Sequence, residues 1–331
     1  MADKRGNLVL GIDLGGTKIL TAVIDAGGVL SRGYSVTPAE EGPEAVVKSI
    51  LESADRALNQ AGVTAADLYA VGVGAAGLSN PETGILFTSP HLPGWHNVPL
   101  GDMVEKGLRK KVFLINDANA AAVGELHYGA GRGARNFIYI TVSTGIGSGI
   151  IIDGEIYMGA AGMAGELGHM VIDDEGPACD CGNRGCWEAL ASGTALVREA
   201  RRRIAGGKAT SILGYVGGAP EKINAEAVHM AAQAGDKLAN ELITRAAYYL
   251  GVGLANVVNI FNPEVIVIGG GLANMGDRLL GPALAEAARR ALPPSYRLVR
   301  FARAGLGSDS GVIGAAAFAL EKMRGAEATG K

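Results

Sequence analysis

Aromatic residues are scarce in this 331-residue chain, at 5%, and there are only three cysteines. An odd number of thiols cannot pair fully within one chain, so a disulfide-stapled scaffold is excluded. No apolar run reaches the ~20 residues needed to span a bilayer, so no membrane partner is expected. The opening MADKRGNLVLGID has no apolar core ahead of a cleavage site, and no signal peptide is expected. Neither sign of charge dominates, with 30 Lys and Arg against 33 Asp and Glu and a net charge of −3. That leaves no basic face for nucleic acid. Apolar residues make up 48% of the chain and there are 51 glycines, which excludes disorder and implies many tight turns. A cytoplasmic, reducing location is the expectation, and it suits free thiols.

The three thiols, Cys179, Cys181 and Cys186, all fall in the loop GELGHMVIDDEGPACDCGNRGCWEA. Cys179 and Cys181 are too close for an easy disulfide. Thiolates favour zinc, and a structural zinc takes four ligands in a tetrahedron. His169, ten residues before Cys179, completes a Cys₃His set, and the short spacings describe a tight knuckle. Two carboxylates bracket it, Glu166 and Glu188. A knuckle would hold their backbones rigidly, and binding groups belong on rigid elements. His169 can then place one ring nitrogen on the metal and leave the other for a ligand.

The chain is also built twice. LVLGIDLGGTKILTAVIDAGGVL from Leu8 and FIYITVSTGIGSGIIIDGEIY from Phe137 each read as strand, Gly-rich turn, strand, turn and third strand. The repeat continues: LYAVGVGAAG (68–77) and EVIVIGGG (264–271) are buried strands running into glycines. Pro43 to Ala61 reads as an amphipathic helix, and a second helix stops near Asn262, ahead of Pro263. KVFLINDANAAAVGEL and SYRLVRFARAGLGSDSGVIGAAAFALEKM each give a strand and then a helix. Two α/β domains with a cleft between them follow. Residues 205–222 read as loop, and VREARRRIA as a solvated helix face.

The paired turns suggest a polyanion. At Gly15 and Gly16 of DLGGTK a phosphate can approach the backbone, with Thr17 and Lys18 adding a hydroxyl and a cation. STGIGSG offers the same at Ser143, Thr144, Gly145 and Gly147. Two such turns at matching places can grip a triphosphate from both sides, and Gly270 in GGGLANM can let a nucleobase or ribose lie close. GVGAAG (72–77) matches a dinucleotide fingerprint literally, but LSNPETGILF follows where a helix is required. No P-loop occurs.

GIDLGGTK, NDANAAAVGE, STGIGSG, GELGH, CDCGNRGCWE and VIVIGGG stand in the order of the repressor, open-reading-frame and kinase (ROK) family of sugar kinases. The resemblance runs from Leu8 to about Leu320. It implies an actin-like, hexokinase-like ATPase fold, with two RNase H-like α/β domains around a central cleft. The expected division is 1–117 with about 315–331 in a small domain, and 118–314 in a large one carrying the knuckle 169–186. Repressor members carry an N-terminal helix-turn-helix; here the first strand begins by Leu8, so no DNA-binding role is expected.

Within the family the chain is most similar to bacterial ATP-dependent glucokinases. The resemblance implies ATP and a hexose, glucose first, as partners, Mg²⁺ with the ATP, a structural Zn²⁺, and a homodimer or homotetramer. The catalytic aspartate falls on Asp117, the sugar positions on Asn116, Glu166, His169 and Glu188, and the zinc ligands on His169, Cys179, Cys181 and Cys186. Where many relatives have a sugar-contacting Asn, this chain has His91. Read on its own, Asp117 suits a helix N-cap; the resemblance makes it the base that takes a proton from the primary hydroxyl. Asp13, the acid nearest the first turn, is the candidate for holding Mg²⁺ through water.

Overall fold

Alternating strands and helices run through the computed structural model, which describes residues 7–329. The first six residues of the opening segment lie outside the described residues. The chain begins with strands β1 (Leu8–Leu14), β2 (Lys18–Asp25) and β3 (Gly28–Val36), then helix α1 (Pro43–Ala61). Strands β4 (Leu68–Ala75), β5 (Leu78–Asn80) and β6 (Ile85–Thr88) precede α2 (Leu100–Leu108), β7 (Val112–Asn116) and α3 (Asp117–Tyr128). The repeat opens with β8 (Phe137–Val142), β9 (Ile146–Ile152) and β10 (Glu155–Ile156). Helices α4 (Trp187–Ala191), α5 (Gly193–Ala205), α6 (Ala225–Gln233) and α7 (Lys237–Phe261) follow. The chain closes with β11 (Val265–Gly269), α8 (Asp277–Arg290), α9 (Pro293–Leu298), β12 (Arg300–Arg303) and α10 (Ser310–Thr329).

By internal packing there are two units. One takes the chain up to Tyr139, then Gly149–Gly165 and Ala304 onward; the other takes Ile140–Ser148 and Glu166–Arg303. Boundaries at 117 and 314 would cut the first unit, where α3 packs along α10.

The first unit holds a five-stranded sheet in the order β3-β2-β1-β4-β7. β1, β2 and β3 pair antiparallel, whereas β4 and β7 extend the sheet parallel to β1. Helix α1 starts on Pro43 at its first position, where the missing N–H costs nothing, and ends at Gly62 in the left-handed conformation. Its stripe of Val46, Val47, Ile50, Ala54 and Leu58 is buried on one face of the sheet with Leu10, Ile12, Val73 and Leu114. Helix α10 covers the other face with Val312, Ala316 and Ala319 against Val9, Ala22 and Ala70. It lies so close that a Cβ on Gly72 would sit 1.8 Å from the Ala315 carbonyl oxygen. Gly72 of the GVGAAG segment therefore admits a helix, not a dinucleotide, and the segment runs into the β5–β6 hairpin.

The second sheet repeats the order, β10-β9-β8-β11-β12. In the second unit, Asp236 caps α7 by accepting from Ala239 N–H, and Asn262 ends it in the left-handed conformation one residue before Pro263. Trp187 is fully buried, and Gly253 of α7 leaves space for its indole: a Cβ there would lie 2.0 Å from the ring. That wedge seats α4. VREARRRIA is a largely exposed helix face, with Arg198, Arg201 and Arg202 all exposed, and its arginines also brace neighbouring backbone. Arg201 donates to the carbonyls of Pro220, Glu221 and Ile223, and Arg198 to that of Ala189. The 205–222 stretch, expected as loop, contains two short 3₁₀ turns, Ile212–Val216 and Pro220–Lys222.

Candidate active site

In the first unit, the parallel strands β1, β4 and β7 end together, and the polar residues gather at those ends. The β1–β2 turn is closed by Gly15 N–H donating to Lys18 O at 3.0 Å. Thr37 braces it, its hydroxyl donating to Gly15 O at 2.7 Å and its N–H to Thr17 O at 3.1 Å. The side chains of Thr17 and Lys18 are exposed. Gly16 is pressed against His91, whose Cβ would be 2.5 Å from a Cβ at 16.

Asp117 is the first residue of α3, but the cap is its neighbour. Asn116 Oδ1 accepts from the N–H groups of Ala118 at 2.9 Å and Asn119 at 3.1 Å. Asn116 Nδ2 donates to Gly77 O at 3.2 Å, which commits one of its two hydrogens. The capping role that Asp117 could have taken is filled, and its carboxylate is available for chemistry. Burial pushes the Asp117 carboxyl above the usual carboxylate range, opposed by the Ala118 N–H and by His91. Asp13, near the end of β1, is half-buried beside it. Burial first, and the Asp117 carboxylate second, push Asp13 from 3.8 up to about 6, against the pull of Lys18. Asp13 also faces the first turn of α10: a Cβ on Gly311 would stand 3.1 Å from its carboxylate. Asp13, Lys18, His91 and Asp117 thus form one electrostatic group. An acid with a raised pKa at the start of a helix is a better proton acceptor near neutrality than an ordinary surface Asp. The sequence reading missed Gly311; the signal was GSDSG standing ahead of an apolar helix.

In the second unit, the β8–β9 turn is pinned by α5. Gly193 N–H donates to Ser143 O at 2.8 Å and Thr194 N–H to Thr144 O at 3.1 Å. Glu188 reaches the same turn: its Oε2 accepts from Ile146 N–H at 2.8 Å and lies where a Cβ on Gly145 would be, 2.2 Å away. Gly147 is in β9. Gly270, expected to admit a nucleobase or ribose, has φ +90°, and a Cβ there would meet Val142 O at 2.4 Å, so its own protein demands glycine.

The knuckle draws its ligand atoms together. His169 Nδ1 lies 3.7 Å from Cys179 Sγ, Cys181 Sγ lies 3.7 Å from Cys186 Sγ, and the four atoms are all within 4.8 Å of one another. A tetrahedron with metal–sulfur bonds of ~2.3 Å has edges of about 3.8 Å. The donor set fits a metal ion. Without one, burial pushes the Cys186 thiol up to about 12; a cation is what would hold these sulfurs as thiolates. The other ring nitrogen, His169 Nε2, is 4.0 Å from Glu166 Oε2. Cys186 is the N-cap of α4 and Glu188 its second residue, so the knuckle fixes Glu188 through one short helix.

The ROK family model matches residues 9–322 of the chain. A glucokinase of Thermotoga maritima is 37% identical over 319 residues, 96% of this chain and 98% of that protein. The crystal structure of a ROK family glucokinase from Streptomyces griseus, in complex with glucose and AMPPNP, superposes with a TM-score of 0.83 at 36% identity, over 95% of this chain and all of that one. A ROK hexokinase from Thermus thermophilus gives 0.82 at 39% identity, over 96% and 99%.

Proposed function

The chain belongs to the ROK family, and on that footing we propose that it is an ATP-dependent hexose kinase that phosphorylates the 6-hydroxyl of glucose. The observation that carries this is the end-to-end likeness to glucokinases, one of them solved with glucose and an ATP analogue. Asp117 supplies the local chemistry: it leads α3 without serving as its cap.

In this reading, Asp117 takes the proton of the 6-hydroxyl as that oxygen attacks the γ-phosphorus and ADP departs. Positioning and charge stabilisation do the rest. Asn116, His91, Glu166, His169 and Glu188 hold sugar hydroxyls. Fixed carboxylates reject a sugar whose hydroxyls point elsewhere, because the acceptors are left unpaired. Gly15, Gly16, Thr17, Lys18, Thr144, Gly145 and Gly147 receive phosphates, with Gly270 near the nucleoside. Mg²⁺ bound with ATP would offset phosphate charge, and Asp13 is the residue to hold it through water.

His169, Cys179, Cys181 and Cys186 hold a structural Zn²⁺. That site is closed, with no position for substrate, and its work is to fix Glu166, His169 and Glu188. A homodimer or homotetramer in the cytoplasm completes the proposal. Among the described residues no helix is long and apolar enough to cross a membrane.

A coupled assay with ATP and Mg²⁺ over glucose, mannose, N-acetylmannosamine, fructose and allose tests it. Glucose should give the highest kcat/KM. A different best sugar would move the chain to another hexose kinase, and no turnover with any would leave a sugar-sensing, non-catalytic relative.

A further inference from the structure

Glu125 is fully buried inside α3, yet it has no ion-pair partner among the described residues. Its carboxylate is held by four donors. Oε2 accepts from Ala130 N–H at 2.8 Å and Gly305 N–H at 2.9 Å. Oε1 accepts from Leu306 N–H at 2.9 Å and the Ser310 hydroxyl at 3.0 Å. Buried charge without a counter-ion is costly, and full satisfaction by oriented donors is what makes it tolerable. Three of those donors lie about 180 residues away along the chain, in the segment with which it re-enters the first unit after Arg303.

The position of these donors matters more than their number. Ser310 begins α10, and the next residue, Gly311, lies on the Asp13 carboxylate. Glu125 lies eight residues, about two turns, after Asp117 on α3. Between those points the two helices touch backbone to backbone. A Cβ on Gly124 would be 2.6 Å from Ser310 O, and one on Gly314 would be 1.6 Å from Ala120 O. Such a seam of small residues allows close approach but carries little directional information, since it has no side chains to interlock. The Glu125 hydrogen bonds supply the direction.

We propose that Glu125 is a positioning residue for phosphoryl transfer: its buried carboxylate sets the register of α3 against α10, and thereby the placement of Asp117 relative to Asp13. The kinetic part rests on the kinase reading above; the structural part does not. Glutamine is the sharpest probe. It keeps the shape, but its amide nitrogen must face one pair of donors, leaving at least one buried backbone N–H unpaired even if the Ser310 hydroxyl turns to Gly307 O, 3.0 Å away. Ser310→Ala removes one bond of the four and is the milder companion.

Two readouts separate positioning from mere stability. With glucose and ATP, Glu125→Gln should lower kcat by ~10-fold or more, the order expected when reacting groups shift by a fraction of an ångström. KM for glucose should stay within about threefold of wild type, and Ser310→Ala should move kcat the same way by less. Amide hydrogen exchange needs no activity: Glu125→Gln should speed exchange at Ala118 and Asn119, beside Asp117, as well as at Ala130, Gly305 and Leu306. Faster exchange confined to the last three, or wild-type kcat in a folded but less stable variant, would overturn the proposal. If Glu125→Gln does not fold, Ser310→Ala decides by the same readouts. A wild type inactive on every hexose refutes the kinase reading, and the exchange pattern still decides the register claim.

Discussion

Asp13→Asn should make the protein more stable and less active, and the stability gain should depend on pH. In the folded chain the Asp13 carboxyl stands near 6, against 3.8 ordinarily, because it is buried beside Asp117. Below pH ~4 it is protonated in both states and contributes nothing to the balance. Between about 4 and 6 the unfolded chain ionises while the folded chain keeps the proton, so stability falls as pH rises. Above 6 the folded protein carries the full cost, ~2–3 kcal/mol at 1.36 kcal/mol per pKa unit with allowance for partial exposure. Asparagine preserves size and hydrogen bonding and removes the charge. Urea unfolding without nucleotide or magnesium, at pH 4.5 and pH 8, should show Asp13→Asn gaining about 2 kcal/mol at pH 8 and about a third of that at pH 4.5. A variant no more stable than wild type at pH 8, or a difference that ignores pH, refutes the electrostatic account of this pair. If the gain is found, the Asp13 charge is retained for function at the expense of stability.

Valine at Gly145 would occupy the place of Glu188 Oε2, so Gly145→Val should raise the KM for glucose about tenfold or more as well as that for ATP; initial rates over both substrates decide, and a rise for ATP alone would show that the turn does not seat Glu188. Elemental analysis of protein purified without added metal should find about one zinc per chain. Cys181→Ala should lose it, weaken glucose binding ~10-fold or more and spare nucleotide binding, the scale seen when groups that orient a site are lost. Zinc near zero in fully active protein contradicts that assignment.

Local features were legible in the sequence. Turn glycines, the Pro43 start of α1 and the Asn262–Pro263 stop of α7 are signals carried by a few neighbouring residues, and the structure places those elements where the pattern put them. The duplication was legible for the same reason, and both sheets share one strand order. What was not legible depends on contacts distant in sequence. The stretch after GVGAAG already argued against a dinucleotide turn, but no local pattern showed that Gly72 is a glycine because α10 lies on it. Arg201 reads as surface charge and is exposed, but its hold on three carbonyls about twenty residues on has no local signal. Asn116 and Asp117 are adjacent and chemically similar as caps, and only the folded geometry assigns the cap to the first. Glu125 sits in AAAVGEL as an acid in an apolar helix, an oddity whose partners near residue 305 no local pattern could supply.

The most direct measurement compares wild type with Asp117→Asn for turnover of glucose with ATP and Mg²⁺, with glucose affinity measured by calorimetry on the same preparations. Asparagine keeps the shape and cannot take the proton. If Asp117 is the base, turnover should fall by ~10²-fold or more while the glucose Kd stays within a few-fold. Turnover within a few-fold of wild type would contradict the account.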